Sequence, residues 1–179
     1  MKKLLVLTIV CAVNATSVFA QGSRVNPVIK SHGGIFEIPF AEERPDPSMV
    51  YNIIIEVERE SEKPDTINWA LNNVARLLNL HAVGGVPSSN VNVVLAIHGG
   101  ATYTTMNNDQ YRAKYNVDNP NLKLYQELQA AGVRMFVCGQ SIVNRKVDRK
   151  RMVPEVKPAV SMLTTVTTYQ LKGYAYLKF

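Results

Sequence analysis

Two short segments carry side chains with chemistry to offer: His98-Gly99-Gly100 and Cys138-Gly139-Gln140-Ser141. Each closes a continuous apolar run, Val91 to Ile97 and Val133 to Cys138. A thiol placed where a strand gives way to a turn or helix meets free backbone N–H groups. These favour the thiolate, which is the nucleophilic form. Gly139 leaves the thiol side of the turn open, and Gln140 and Ser141 offer hydrogen bonds to an anionic sulfur. Arg145, Lys146, Arg149, Lys150 and Arg151 crowd the next segment, opposed only by Asp148. Their positive field lowers a thiol pKa and attracts an anionic partner. His98 is the candidate for proton transfer near that thiol. Blander alternatives stand beside these readings: a buried strand-end cysteine, a solvated basic loop, and a histidine satisfied by backbone.

For the two segments to meet, their strands must be neighbours. A third apolar run, Ile53-Ile54-Ile55 with Val57, precedes them. All three are apolar rather than alternating, as expected of parallel strands covered on both faces. Ile67, Leu71, Val74 and Leu78 recur at helical spacing between the first two runs, with Asp65 as cap and Gly84-Gly85-Val86-Pro87 as stop. Between the second and third, Asn119-Pro120 reads as cap and first turn, Leu122, Tyr125 and Leu128 as the apolar face, and Gly132 as stop. A short strand over 156–160, a Thr-rich helix over 161–172 and an alternating strand over 174–179 complete the pattern. Strand alternating with helix predicts an open α/β fold with a parallel sheet. Ligands then bind outside the carboxyl ends of the strands, where His98 and Cys138 both fall.

Other motifs point elsewhere or nowhere. His98-Gly99-Gly100-Ala101-Thr102 lacks the spacing and lysine of a phosphate loop. There is no HExxH or CxxC pair and no GxSxG, so the reading assigns no metal and no cofactor. Glu56, Glu58 and Glu60 alternate at the end of the first strand and read as a solvated rim. His81 falls at a helix end and reads as structural, and His32 lies in the arm described next.

The 179 residues suit one domain, with 46% hydrophobic and 19% charged. Residues 1–20 are set apart. Lys2 and Lys3 precede an apolar run from Leu4 to Val13, and Val18-Phe19-Ala20 offers small residues for cleavage before Gln21. This is the order of a secretory signal peptide, too short in its apolar run to span a bilayer. Residues 21–50, punctuated by Gly33-Gly34, Pro39, Pro45 and Pro47, form an N-terminal arm that lies over the domain at 51–179. Cleavage removes Cys11 and leaves Cys138 as the lone cysteine, which pairs with another chain, reacts, or is buried. It also lowers the formal charge of +6 by two, a mild balance with no basic run interleaved with aromatics. Nucleic acid is therefore not an expected partner. The expected location is exported, and periplasmic where an outer membrane exists, with no membrane span once the signal is gone.

Four segments together resemble the DsrE/DsrF-like family, most closely its exported branch. They are Leu95 to Ala101 (LAIHGGA), Val117 to Leu122 (VDNPNL), Val133 to Ser141 (VRMFVCGQS) and Lys172 to Tyr176 (KGYAY). The likeness runs over about residues 51–178, nearly all of the domain. It implies a three-layer α/β/α fold with a five-stranded, mainly parallel sheet, and homo-oligomers, often trimers or hexamers. In some relatives a cysteine carries persulfide sulfur in sulfur oxidation or in sulfur relay for transfer-RNA modification. Cys138 lies in the family's cysteine-bearing segment, so the resemblance implies a sulfur acceptor there. His98, Gly139 and Gln140 match neighbouring family positions. Relay to transfer RNA is cytoplasmic and does not fit an exported chain.

The expected function is thus a sulfur-handling protein. Cys138 accepts sulfane sulfur as a persulfide from a donor protein and passes it to an acceptor, and His98 moves protons. Gly99, Gly139, Gln140 and Ser141 are the candidate ligand-binding positions. The competing readings are an oligomeric, non-catalytic ligand-binding module with an inert thiol, and a redox role through an intermolecular disulfide. Nothing in the pattern specifies a turnover cycle.

Overall fold

A computed structural model describes residues 23–179. The expected signal peptide and Cys11 lie outside the described residues. Five strands form one sheet: β1 (Tyr51–Val57), β2 (Val91–Ile97), β3 (Arg134–Cys138), β4 (Val156–Ala159) and β5 (Ala175–Lys178). Their order is β4-β3-β2-β1-β5, and every neighbouring pair is parallel. Parallel neighbours need crossovers, which α1 (Trp69–Val83), α2 (Asn108–Tyr115), α3 (Leu122–Ala130), α4 (Gly139–Asn144) and α5 (Met162–Leu171) supply.

Successive strand residues point to opposite faces, so the sheet has two cores. Ile53, Ile55 and Val57 of β1, Val93, Leu95 and Ile97 of β2, and Met135 and Val137 of β3 face one way. They pack against Leu71, Val74 and Leu78 of α1 and Leu124, Tyr125 and Leu128 of α3. Ile54, Val94 and Ala96 face the other way, beneath Met162, Val166 and Tyr169 of α5. The expected three layers are present, but unequal. On the second face Leu163 and Leu171 of α5 stand out at 67% and 90% exposed.

Two helix starts differ from the sequence reading. The cap of α1 is Asn68, whose Oδ1 accepts from the N–H groups of Ala70 and Leu71. Asp65 lies upstream, in the turn closed by Thr66 N–H to Lys63 O. Asn119 does not cap α3 directly; its Nδ2 donates to the carbonyls of Thr104 and Met106, tying α3's entry to the segment after β2. Two further elements escaped the sequence: the polar helix α2 and a 3₁₀ stretch over Gly99–Thr105.

Residues 23–50 lie against α1. Asn79, fully buried, accepts from the N–H groups of Val28 and Ile29 and donates to the carbonyls of Ile29, His32 and Gly33. Ile29 adds its side chain to the larger core. Gly33 sits at φ +67°, and a Cβ there would fall 2.5 Å from the α1 backbone. Only glycine permits that approach. Among the described residues no helix is long and apolar enough to cross a membrane.

Candidate functional site

The register of β2 against β3 pairs Ala96 with Phe136 and Ile97 with Val137. One step further sets His98 across from Cys138, on adjacent strands about 5 Å apart. Both belong to the face that α5 covers, since Ala96 and Phe136, two residues earlier, pack there. The sheet thus brings the two chemical segments to one rim.

Cys138 is a free thiol, only 6% exposed. It ends β3 and precedes α4, with no capping bond from its side chain to that helix. The contact that meets hydrogen-bonding geometry is a long one, from Sγ to Ser161 Oγ at 4.0 Å. Burial pushes the thiol pKa up. The N–H of Met162, the hydroxyl and N–H of Ser141 and the hydroxyl of Ser161 outweigh it and hold the thiol below its ordinary value. Met162 opens α5, so its N–H carries the positive end of that helix dipole. The basic run at 145–151, expected from the sequence to supply this shift, is not among the groups that act most strongly on the sulfur.

The two serines are arranged alike. Ser141 Oγ accepts from Gly99 N–H at 3.2 Å, and Ser161 Oγ accepts from Leu163 N–H at 3.2 Å. Each oxygen therefore has a backbone donor, which leaves each hydroxyl proton free to be given to an anionic sulfur. Ser141 also ties the two rim segments together, because its backbone donor is the residue after His98. Replacing Ser141 with alanine removes one such proton. The titration midpoint of Cys138 alkylation is expected to move up and the rate at neutral pH to fall severalfold, as read by timed iodoacetamide labelling. The linkage sign follows: a depressed thiol pKa stabilises the fold above the unfolded thiol pKa, and this is lost as pH falls through the folded value.

Gly139 has a packing role beside the expected one. A Cβ there would lie 2.7 Å from the Ala159 carbonyl oxygen, and Ala159 is the cross-strand partner of Cys138. Gly139→Ala is expected to push β4 away from the thiol and cost about 1–3 kcal/mol, measured as a lower denaturant midpoint. Gly99, at φ +55°, would bring a Cβ to 2.8 Å from Glu58 O, so the segment after His98 presses on the chain leaving β1. Gln140 is exposed, and its side chain forms no hydrogen bond to the sulfur.

Of the three glutamates that alternate at the end of β1, Glu60 is exposed and Glu58 partly so, as a solvated rim would be, but Glu56 is only 6% exposed. Its Oε1 lies 2.9 Å from His98 Nε2 and 2.8 Å from Lys178 Nζ, and its Oε2 accepts from the Tyr176 hydroxyl. Burial pushes the carboxyl up; donation from Lys178, Tyr176 and His98 overcomes it and holds the group below the usual range. Glu56, Glu58 and His98 offer ligand atoms within 4.8 Å of one another, a spacing that fits a metal ion. The Lys178 ammonium already bridges the two carboxylates, at 2.8 and 2.7 Å, so their charge is met by a side chain.

Beside the thiol runs a groove of about 210 Å³ lined by Phe136, Ala159, Val160 and one side of α5. Phe136 shares the face of Cys138 and Ala159 pairs with it, although the sulfur itself is not in the lining. Sequence reasoning missed Ser161, Met162 and Glu56. A serine before a helical run signals a cap, which was available for Ser161. Nothing local marks Glu56.

The model of the DsrE/DsrF-like family matches residues 49–179. The comparison with curated proteins gives no match. Among solved structures the fold is similar to protein MTH1491 of Methanobacterium thermoautotrophicum, described as of unknown function. The TM-score is 0.55 and the identity 16%, covering 72% of this chain and 99% of that one. It is similar also to the ychN protein of E. coli, with a TM-score of 0.55 and 14% identity, covering 73% of this chain and all of that one.

Proposed function

For this chain, which belongs to the DsrE/DsrF-like family, we propose that Cys138 carries sulfane sulfur as a persulfide between a donor and an acceptor protein. The observation that carries the reading is the thiol's setting. Donors from three directions, α4, the β4–α5 junction and the first turn of α5, favour its anionic form despite burial. The same donors suit a persulfide anion, whose charge resides on the outer sulfur. The transfer is an exchange without net oxidation. The Cys138 thiolate attacks the outer sulfur of a donor persulfide R–S–SH, a new S–S bond forms, the old one breaks, and R–S⁻ leaves. The acceptor's thiolate repeats the step in reverse sense. His98 moves the protons, Ser141 steadies the anion, and Gly99 and Gly139 let the backbones close around it; Gln140, exposed at the turn, meets the partner. The signal-like residues 1–20 and the lone mature cysteine support an exported, periplasmic setting.

The same proposal has the protein act as a homo-oligomer, a trimer or hexamer. The apolar side chains left bare on α5 and beside it, Val160, Leu163 and Leu171, support it. Sedimentation velocity is expected to show a discrete oligomer that Leu163→Glu with Leu171→Glu dissociates. A single monomeric species in the wild type contradicts it.

The competing reading, a ligand-binding module with an inert thiol, is favoured by the 6% exposure of Cys138. Alkylation under native conditions separates the two. Sulfur carriage requires Cys138 to label faster at neutral pH than a free cysteine peptide. Labelling only after unfolding sinks it.

A further inference from the structure

Glu56 is a buried carboxylate with three donors on it, and the persulfide exchange just described does not use it. It projects from β1 toward the α5 face, as His98 does from the end of β2. Lys178 and Tyr176 reach it from β5, the strand on the other side. With Lys178 and Tyr176 both donating, the carboxylate is ionised and can only accept. The hydrogen between Glu56 Oε1 and His98 Nε2, 2.9 Å apart, therefore belongs to the imidazole. A neutral imidazole that carries its hydrogen on Nε2 has its lone pair on Nδ1.

From this geometry we infer that Glu56 is a positioning residue: it locks His98 in the Nε2–H tautomer and so makes Nδ1 the proton-accepting atom at the rim that His98 shares with Cys138. The inference rests on the reading of Cys138 as the reacting thiol. The Cys138 proton passes to Nδ1 first and leaves the thiolate that attacks. His98 becomes imidazolium, still donating through Nε2 to Glu56, and returns the proton from Nδ1 to the departing R–S⁻. No electron is gained or lost by the protein. Tyr176 and Lys178 also bond the carboxylate, which opposes its rotation away from the ring. Around His98, Glu56 meets Nε2 and Glu58 lies within 4.8 Å; Lys178 and Tyr176 of β5 bond those carboxylates, Ser141 of α4 bonds the N–H of the next residue, and Cys138 ends the neighbouring strand.

The test pairs ¹⁵N NMR of the His98 ring with pH-resolved iodoacetamide labelling of Cys138, in the wild type, Glu56→Gln and Tyr176→Phe. The expected wild-type ring is a single tautomer with hydrogen on Nε2 and none on Nδ1. Glu56→Gln, whose amide can donate as well as accept, is expected to populate both tautomers and to slow labelling at neutral pH about tenfold. Tyr176→Phe keeps the carboxylate and is expected to keep the tautomer. A wild-type ring protonated on Nδ1 overturns the inference. So does a folded Glu56→Gln variant with unchanged tautomer and labelling rate. Should that variant fail to fold, the wild-type and Tyr176→Phe spectra decide. Sulfur loading enters neither readout. A protein that passes both tests yet takes no sulfur refutes sulfur carriage and leaves the role of Glu56 standing.

Discussion

Replacing Cys138 with serine is expected to reduce sulfur loading to background. Cys138 is the free thiol among the described residues. In the chain from Gln21 onward it is also the single cysteine of the sequence. A serine hydroxyl does not ionise near neutral pH and forms no stable O–S bond under exchange conditions. The variant should fold, because one buried atom of similar size is exchanged and Ser141 and Ser161 stand ready to bond a hydroxyl. Cyanolysis of protein exposed to polysulfide is the readout. The wild type should release thiocyanate in proportion to protein, and Cys138→Ser none above the reagent blank. Equal release from both would place the sulfur elsewhere.

The largest effect on stability is expected at Asn79, far from the thiol. Its amide bonds five backbone groups of residues 28–33, three of these bonds buried and two partly buried. Alanine leaves the Val28 and Ile29 N–H groups and the Gly33 carbonyl without that partner, at a typical 1–3 kcal/mol each before relaxation, while the Ile29 and His32 carbonyls keep the Asn26 amide. Relaxation of the arm recovers much of this, so a loss of about 3–5 kcal/mol is expected. That is a large fraction of the 5–15 kcal/mol typical of a domain. Urea unfolding should show a lower midpoint, and brief proteolysis should cut first within residues 23–50. If the arm is equally protected in Asn79→Ala, Ile29 and the close contact at Gly33 hold it without the amide.

Much of the scaffold was legible because burial on two faces leaves a mark in the sequence. The runs of β1, β2 and β3 are apolar more than alternating, and α1 and α3 between them show their spacing. The start of α1 was read three residues early, since Asp65 is a good cap by type while Asn68 is the cap by position. Helix α2 was not legible at all: only Gln110 and Tyr111 are buried in it, too few to write a stripe. At the site, the meeting of His98 and Cys138 followed from strand ends alone. What lay beyond reach was the setting of each. Glu56 is paired through β5, 120 residues away in sequence, and no local pattern says that the last strand lies beside the first. Without Tyr176 and Lys178 in view, three alternating glutamates look like a wet edge. For Cys138, backbone N–H groups and Ser141 were legible from the strand end and the residues after it, whereas the nearby cations, conspicuous in sequence, are not among the groups that act most strongly on the sulfur. Ser161 and Met162 were beyond reach, because they come to the thiol only through the β3–β4 pairing.

The central claim is that Cys138 takes up sulfane sulfur. The direct measurement is the intact mass of the chain from Gln21 onward after brief exposure to polysulfide under native conditions, beside Cys138→Ser. The account predicts a gain of whole sulfur atoms in the wild type, lost on treatment with a thiol reductant and absent from the variant. A wild-type mass that does not change, in protein whose Cys138 labels readily with iodoacetamide, contradicts it.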